Sequence, residues 1–189
     1  MSKKDEIIHT ALKLFNAYGY NAIGVDRIIN ESGVAKMTFY KYFSSKAKLI
    51  EDCLHQRNLN LQFALNAAIA ECDSTDYISH LRTVFYWYGH WFQMEDFNGC
   101  MFQKAIEEVS TMYPSTLEPA TEYRQWLTAR MDSALKGLGI QQSLSLAMVL
   151  TSLLDGMTIQ AQIKPETVKI EEYWDRVYQL IQFEANETV

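Results

Sequence analysis

Residues 24–46 read Gly24-Val25-Asp26-Arg27-Ile28-Ile29-Asn30-Glu31-Ser32-Gly33-Val34-Ala35-Lys36-Met37-Thr38-Phe39-Tyr40-Lys41-Tyr42-Phe43-Ser44-Ser45-Lys46. Val25, Ile28 and Ile29 sit at helical spacing and stop at Ser32-Gly33, and a second short helical segment runs from Ala35 to Tyr42. Two short helices joined through a glycine predict a helix-turn-helix. Gly33 falls where the turn calls for positive φ, which glycine adopts without a Cβ clash. Val34 is expected to fill the angle between the helices. At about 100° per residue, Phe39 and Phe43 share a core-facing side with Ile28 and Ile29. The opposite side is centred on Met37, Thr38 and Lys41, flanked by Tyr40 and Tyr42. Such a surface suits the groove of duplex DNA. Ammonium groups and phenols reach phosphates, phenols also reach base edges, and the Met37 and Thr38 methyls suit thymine.

Lys46 adjoins Ser45, the expected N-cap of the next helix, where free N–H groups and the helix dipole favour a phosphate. Lys3 and Lys4 are read as preceding the first helix, placed as a short arm on the phosphate backbone. Charge supports an anionic partner at this end. Residues 1–60 carry nine Lys/Arg against six Asp/Glu, a net of +3, whereas residues 61–189 carry eight against seventeen, a net of −9. Between Ser32 and Ile50 lie four lysines and no acid. A charged face that merely meets solvent would show the same arithmetic, so charge alone does not decide.

The remaining periodicity is also helical. Ile7, Ile8, Ala11, Leu12, Leu14, Phe15 and Tyr18 form a stripe ending at Gly19. Breaks fall at 73–76, 98–99, 113–115 and 136–139, the first able to cap the following helix through Asp76. Gln142–Ile163 is apolar on nearly every side, and Lys169–Phe183 carries one apolar face. The prediction is an all-α fold of about nine helices. An N-terminal helix-turn-helix unit over residues 1–46 precedes a helical bundle over 47–189.

Composition narrows the classes. With 48% hydrophobic residues among 189, the chain is too apolar to be disordered and long enough to close a core. No unbroken run of eighteen apolar residues occurs, so no membrane span is expected, and Met1-Ser2-Lys3-Lys4 does not begin a secretory signal. Cys53, Cys72 and Cys100, odd in number and far apart, fit neither a disulfide framework nor a zinc site, which points to a reducing cytoplasm. His9, His55, His80 and His90 lack metal-ligand spacing. No glycine-rich phosphate loop, nucleophile elbow or zinc-helix motif is found, so no enzyme, cofactor or metal is expected. The adjacent pairs Glu107-Glu108 and Glu171-Glu172 are expected to be solvated. Cys100 follows Gly99 at a helix start, where the dipole could make a thiol oxidisable or the thiol could lie buried and inert. A helical small-molecule carrier would need convergent ionisable groups in the C-terminal bundle, and none is legible. A protein-binding adaptor using the N-terminal helices would bind no nucleic acid.

The stretch Gly33 to Phe43, followed by Ser45-Lys46, closely resembles the DNA-binding signature of the tetracycline-repressor (TetR) family. Leu14-Phe15, Gly19-Tyr20 and Val25-Asp26-Arg27-Ile28 resemble that family's first two helices, so the likeness is specific over about residues 5–55. It implies that Lys36, Thr38, Tyr40, Tyr42 and Lys46 line DNA. The chain departs from the family at Ile23-Gly24, where Thr or Ser is common, and at Ser44, where Pro is common.

The resemblance further implies a ligand-responsive regulator, a repressor by preference, bound to a palindromic operator as a homodimer through residues 142–163 and 169–183. It also implies a C-terminal cavity for a small effector. The region from Phe85 to Trp126 is dense in aromatic and methionine side chains, as pockets for apolar or aromatic molecules are. Trp87, Trp91, Phe102, Trp126 and Met157 are the candidates for such a lining. An ordinary packed core has the same pattern, and the sequence leaves both readings open.

Overall fold

The computed structural model describes residues 2–186, and every regular element among them is helical. Met1 and residues 187–189, at the outer edges of the two predicted domains, lie outside the described residues. Nine α-helices follow in chain order. They are α1 (Lys3–Tyr18), α2 (Val25–Ser32), α3 (Lys36–Tyr42), α4 (Lys46–Ala70), α5 (Tyr77–Phe92), α6 (Met101–Glu108), α7 (Leu117–Gly137), α8 (Ser143–Ile163) and α9 (Ile170–Asn186). Single 3-10 turns at Pro114–Thr116 and Pro165–Thr167 precede α7 and α9.

The chain divides into two units: residues 1–61 with 98–122, and residues 62–97 with 123–189. The first unit therefore holds more than the three N-terminal helices, since it includes the first part of α4 and all of α6. Ser2 starts α1 with a capping box that the sequence reading overlooked. Its hydroxyl accepts from the Asp5 N–H at 3.2 Å, and its own N–H donates to the Asp5 carboxylate at 2.9 Å. Ile7, Ala11 and Phe15 form the fully buried stripe of α1, which stops at Gly19 (φ +78°). Gly33 closes α2 in the left-handed region at φ +66°, as the turn requires. Val34, Phe39 and Phe43 are buried together with Ile28 and Ile29. Ser45 caps α4 by accepting from the Lys48 N–H at 3.2 Å. Gly24, at the N-cap of α2, supplies no side-chain bond, the cost of lacking Thr or Ser there.

In the second unit Asp76 caps α5 by accepting from the Ser79 N–H at 3.0 Å. α7 and α8 run antiparallel along a polar seam. Arg124 pairs with Asp155, the Thr128 and Thr151 hydroxyls lie 3.0 Å apart, and Ser143 donates to Asp132 at 2.6 Å. On α7 these positions are four residues apart, so one face carries them all while the apolar positions between fill the core. The approach of α9 to α5 is close: a Cβ on Gly89 would lie 2.9 Å from Ile170.

Among the described residues, α8 is long and apolar enough, by length and composition, to cross a membrane. Serines, threonines and glutamines and the charged Asp155 interrupt its apolar run, so no unbroken stretch of eighteen apolar residues occurs. Leu146, Leu150, Leu154 and Met157 are buried, and Thr151 and Thr158 donate back to the carbonyls of Ala147 and Leu154.

Candidate nucleic-acid interface

Seven residues (36–42) make a helix too short to be stable alone, so α3 is held by what it buries. Phe39 and Phe43 anchor it, with ring centroids 5.7 Å apart. That anchoring turns the other face outward: Met37 is 87% exposed, Tyr40 49% and Tyr42 38%. Lys36 and Lys41 are exposed as well, and Thr38 is half-buried. The Tyr40 ring stands edge-on to Phe39 at 5.3 Å, which limits its rotamers. Lys41 places its ammonium 5.9 Å from the Tyr42 ring centre, and Lys36 pairs with Asp26 of α2 at 3.3 Å. Exposed ion pairs of this kind are weak, so Lys36 can exchange Asp26 for a phosphate at little cost.

Lys46 opens α4 half-buried. Burial pulls its pKa below the usual lysine value, and the charge of Glu108 opposes that pull. Lys3 and Lys4 do not precede the first helix; they form its first turn, with Lys3 on Glu6 at 2.7 Å and Lys4 on Asp52 at 2.8 Å. A free arm is therefore replaced by two lysines already engaged with carboxylates.

Glu108 corrects a second expectation. Glu107 is exposed, but the Glu108 carboxylate accepts from the backbone N–H groups of Tyr20 and Asn21 at 2.8 and 3.0 Å. Its partners lie 87 and 88 residues away in sequence, so local spacing carried no signal for them.

The residues picked for an effector are placed as follows. Phe102, in the first unit, is fully buried, as is Met157 in the second. Trp87, Trp91 and Trp126 are half-buried. Trp87 and Trp91 lie 6.1 Å apart, Trp91 meets Phe97 at 5.0 Å, and Trp126 stacks on Tyr123. Tyr123 and Tyr88 share a buried hydroxyl–hydroxyl bond of 2.6 Å. Cys100 is the N-cap residue of α6 and half-buried. Among the described residues no three His, Cys, Asp or Glu side chains gather as a metal site.

Residues 7–53 match the sequence profile of the bacterial regulatory proteins of the tetR family. The chain is 24% identical over 180 residues to an HTH-type transcriptional regulator encoded in the lacX 3′ region of Lactococcus lactis, covering 91% of this chain and 89% of that one. It is 45% identical over 56 residues to the HTH-type regulator YuxN of Bacillus subtilis, covering 29% of this chain and 19% of that one. The same fold occurs in SCO4454, a TetR-family regulator of Streptomyces coelicolor (TM-score 0.85, 24% identity, 97% of this chain and 96% of that one). It also occurs in reduced NemR of Escherichia coli (TM-score 0.81, 19% identity, 95% and 97%). An exposed basic and phenolic helix, set by a left-handed glycine turn inside this all-helical fold, defines a helix-turn-helix regulator of transcription. Residues 7–53 carry the DNA-binding segment of the tetR-family regulatory proteins, and the chain shares the fold of TetR-family regulators, which are DNA-binding proteins rather than enzymes.

Proposed function

We propose that this regulator binds a palindromic operator as a homodimer, acts as a repressor, and is released by a small apolar or aromatic effector. The outward face of α3 is the observation that carries this reading. Lys36, Tyr40 and Lys46 supply affinity for any duplex through phosphates. Met37, Thr38, Lys41 and Tyr42 tune preference among base steps. One short helix reads few base pairs, so two copies on half-sites one helical turn apart give the needed specificity. The dimer forms through α8 and α9. On α8, Leu144, Met148, Val149, Ile159 and Ile163 are exposed, and on α9 so are Tyr178, Leu180 and Phe183. An apolar strip of that extent on a helix is supportive of burial by a second copy.

The effector is proposed to act on the second unit, where Trp87, Trp91, Trp126 and Met157 lie. It favours a conformation whose two α3 helices are mis-spaced for successive major grooves, and DNA affinity falls by the differential binding energy.

Selection of bound duplexes from a random pool tests the operator, and titration of Lys46→Ala tests the role of the lysine. The variant is expected to lose affinity for all duplexes alike, with the slope of log K against log salt shallower by about 0.9 for each half-site. An unchanged slope removes Lys46 from the interface, and an empty selection removes the DNA reading altogether.

A further inference from the structure

The second unit contains a cleft of about 220 Å³ between the start of α5 and the end of α7, lined by none of the residues named above for the effector. Leu81, Val84 and Met131 form its floor, and each is at most 2% exposed. Tyr77, His80, Arg130 and Ser133 stand at its rim. Two of these side chains are fixed in place. The Tyr77 ring lies directly on the backbone of Gly137, where an added Cβ would come within 2.4 Å of it. His80 Nε2 hydrogen bonds with the Asp73 carbonyl oxygen at 2.9 Å, and its ring meets Tyr77 edge-on at 5.8 Å.

Arg130 is the cation of this rim. On the same helix Arg124 pairs with Asp155 and Lys136 with Asp132, whereas Arg130 has no ion pair among the described residues. The nearby acids do not turn toward it: Asp73 is bonded to Thr75 and Asp76 to Ser79. Nor does the Tyr77 hydroxyl or the Ser133 hydroxyl have a partner there among the described residues. An apolar floor under a few unpaired, convergent donors is the usual composition of a small-molecule site.

We propose that this cleft binds a small amphipathic carboxylate, its chain on Leu81, Val84 and Met131 and its carboxylate on the guanidinium of Arg130. The planar fork of arginine suits the two oxygens of a carboxylate. The volume equals that of roughly seven liquid waters, which fits a short acyl or aryl acid and excludes a long chain. The site is separate from the DNA reading, and its test uses no DNA.

Hexanoate is the probe, with hexan-1-ol and hexylammonium as comparators, followed by backbone amide shifts of the full chain. Saturable shifts confined to residues 74–84 and 130–134 are expected with hexanoate and none with hexylammonium. Arg130→Gln, an exposed and unpaired position, is expected to keep the fold by circular dichroism. Its affinity for hexanoate should fall roughly tenfold or more, the worth of a charge-assisted hydrogen bond. Ser133→Trp, at the exposed rim, should block the cleft without touching its floor. The proposal is overturned if hexanoate gives no shifts, if hexan-1-ol binds as well, if Arg130→Gln binds unchanged, or if the shifts centre on Trp91 and Trp126.

Discussion

Oε2 of Glu108, in the last turn of α6, accepts the backbone N–H of Tyr20 at 2.8 Å, and the same oxygen takes the Asn21 N–H. These N–H groups belong to the turn that follows α1, where no intrahelical acceptor is available. The rest of α6 serves α1 and the turn after it in two further ways. Lys104 donates to the Asn16 carbonyl at 2.9 Å, one of the last carbonyls of α1, and the buried Tyr20 hydroxyl donates to the Met101 carbonyl at 3.0 Å. The corner between α1 and α2 is thus finished by residues 101–108, which is why those residues belong to the first unit.

Replacing Glu108 by alanine should leave two backbone donors without an acceptor, lowering stability by about 1–3 kcal/mol. Glutamine should cost less, because a single oxygen takes both bonds and its amide carbonyl can do the same. Urea midpoints of the two variants measure this. Equal loss for both would mean that the charge, not the acceptor, holds the turn.

Gly33 offers a second test on the backbone alone. Its φ is +66° and no atom lies within 4 Å of where a Cβ would stand, so substitution meets strain but no clash. Gly33→Ala should cost about 1–2 kcal/mol, the penalty of an L-residue in the left-handed region. Gly33→Asn should cost less, since asparagine tolerates that region better. Thermal unfolding of both variants reads the order, and alanine no worse than asparagine would contradict it.

Those two sites mark what the sequence makes legible. Gly33 declares itself, because the helices on either side show their periodicity and only a glycine suits the turn between them. Phe39 and Phe43 likewise follow from spacing once α3 is assumed helical. Glu108 is opaque because its role depends on chain segments far apart in sequence, and an acid beside another acid reads as solvated. Lys3 and Lys4 mislead for a related reason. The Ser2–Asp5 capping box was legible from its spacing, but Asp52, the partner of Lys4, was not. In α8 the apolar character is legible, but which of its sides is buried is not, because nearly every side is apolar.

Acid should weaken the α7–α8 seam through Asp132. Its carboxylate accepts from Lys136 at 2.7 Å and from Ser143 at 2.6 Å, and these bonds, that of Lys136 foremost, hold its pKa below the ordinary 3.8. A depressed folded-state pKa means that the unfolded chain takes up the proton first. The stabilisation is therefore complete above 3.8 and drains away as pH falls through the lower, folded value. Asp132→Asn should be less stable than the parent by about 1 kcal/mol at pH 7. The gap should close in urea titrations carried below pH 3.8. A gap that persists there would assign the loss to packing instead.

Cys53 should be silent toward thiol reagents. It is fully buried, its Sγ donates to the Ile8 carbonyl at 3.9 Å, and burial, with the neighbouring Asp52 charge, pushes its thiol pKa far up. Cys72 and Cys100 are only half-buried. Labelling the native protein with a disulfide reagent at mild alkaline pH should leave Cys53 unmodified until global unfolding, because the thiolate is the attacking species. Mass spectrometry of labelled peptides would show the order, and early modification of Cys53 would place it nearer solvent than its burial allows.

Met148 gives the most direct test of the proposed dimer. It is 59% exposed, one residue from Val149 at 56% and one turn from Leu144 at 55%. Met148→Arg places a charge in the middle of that strip. If a second copy covers it, the buried arginine lacks a partner, and the dimer should weaken by several kcal/mol, enough to leave monomer at micromolar concentration. Because Met148 is outside the core of its own unit, helicity should persist. Sedimentation velocity reads the oligomer and circular dichroism the fold. A folded monomer that still binds random duplex but has lost the selected operator would tie dimerisation to specificity, since phosphate contacts survive in one copy and the second half-site does not. A variant that remains dimeric would move the interface off α8.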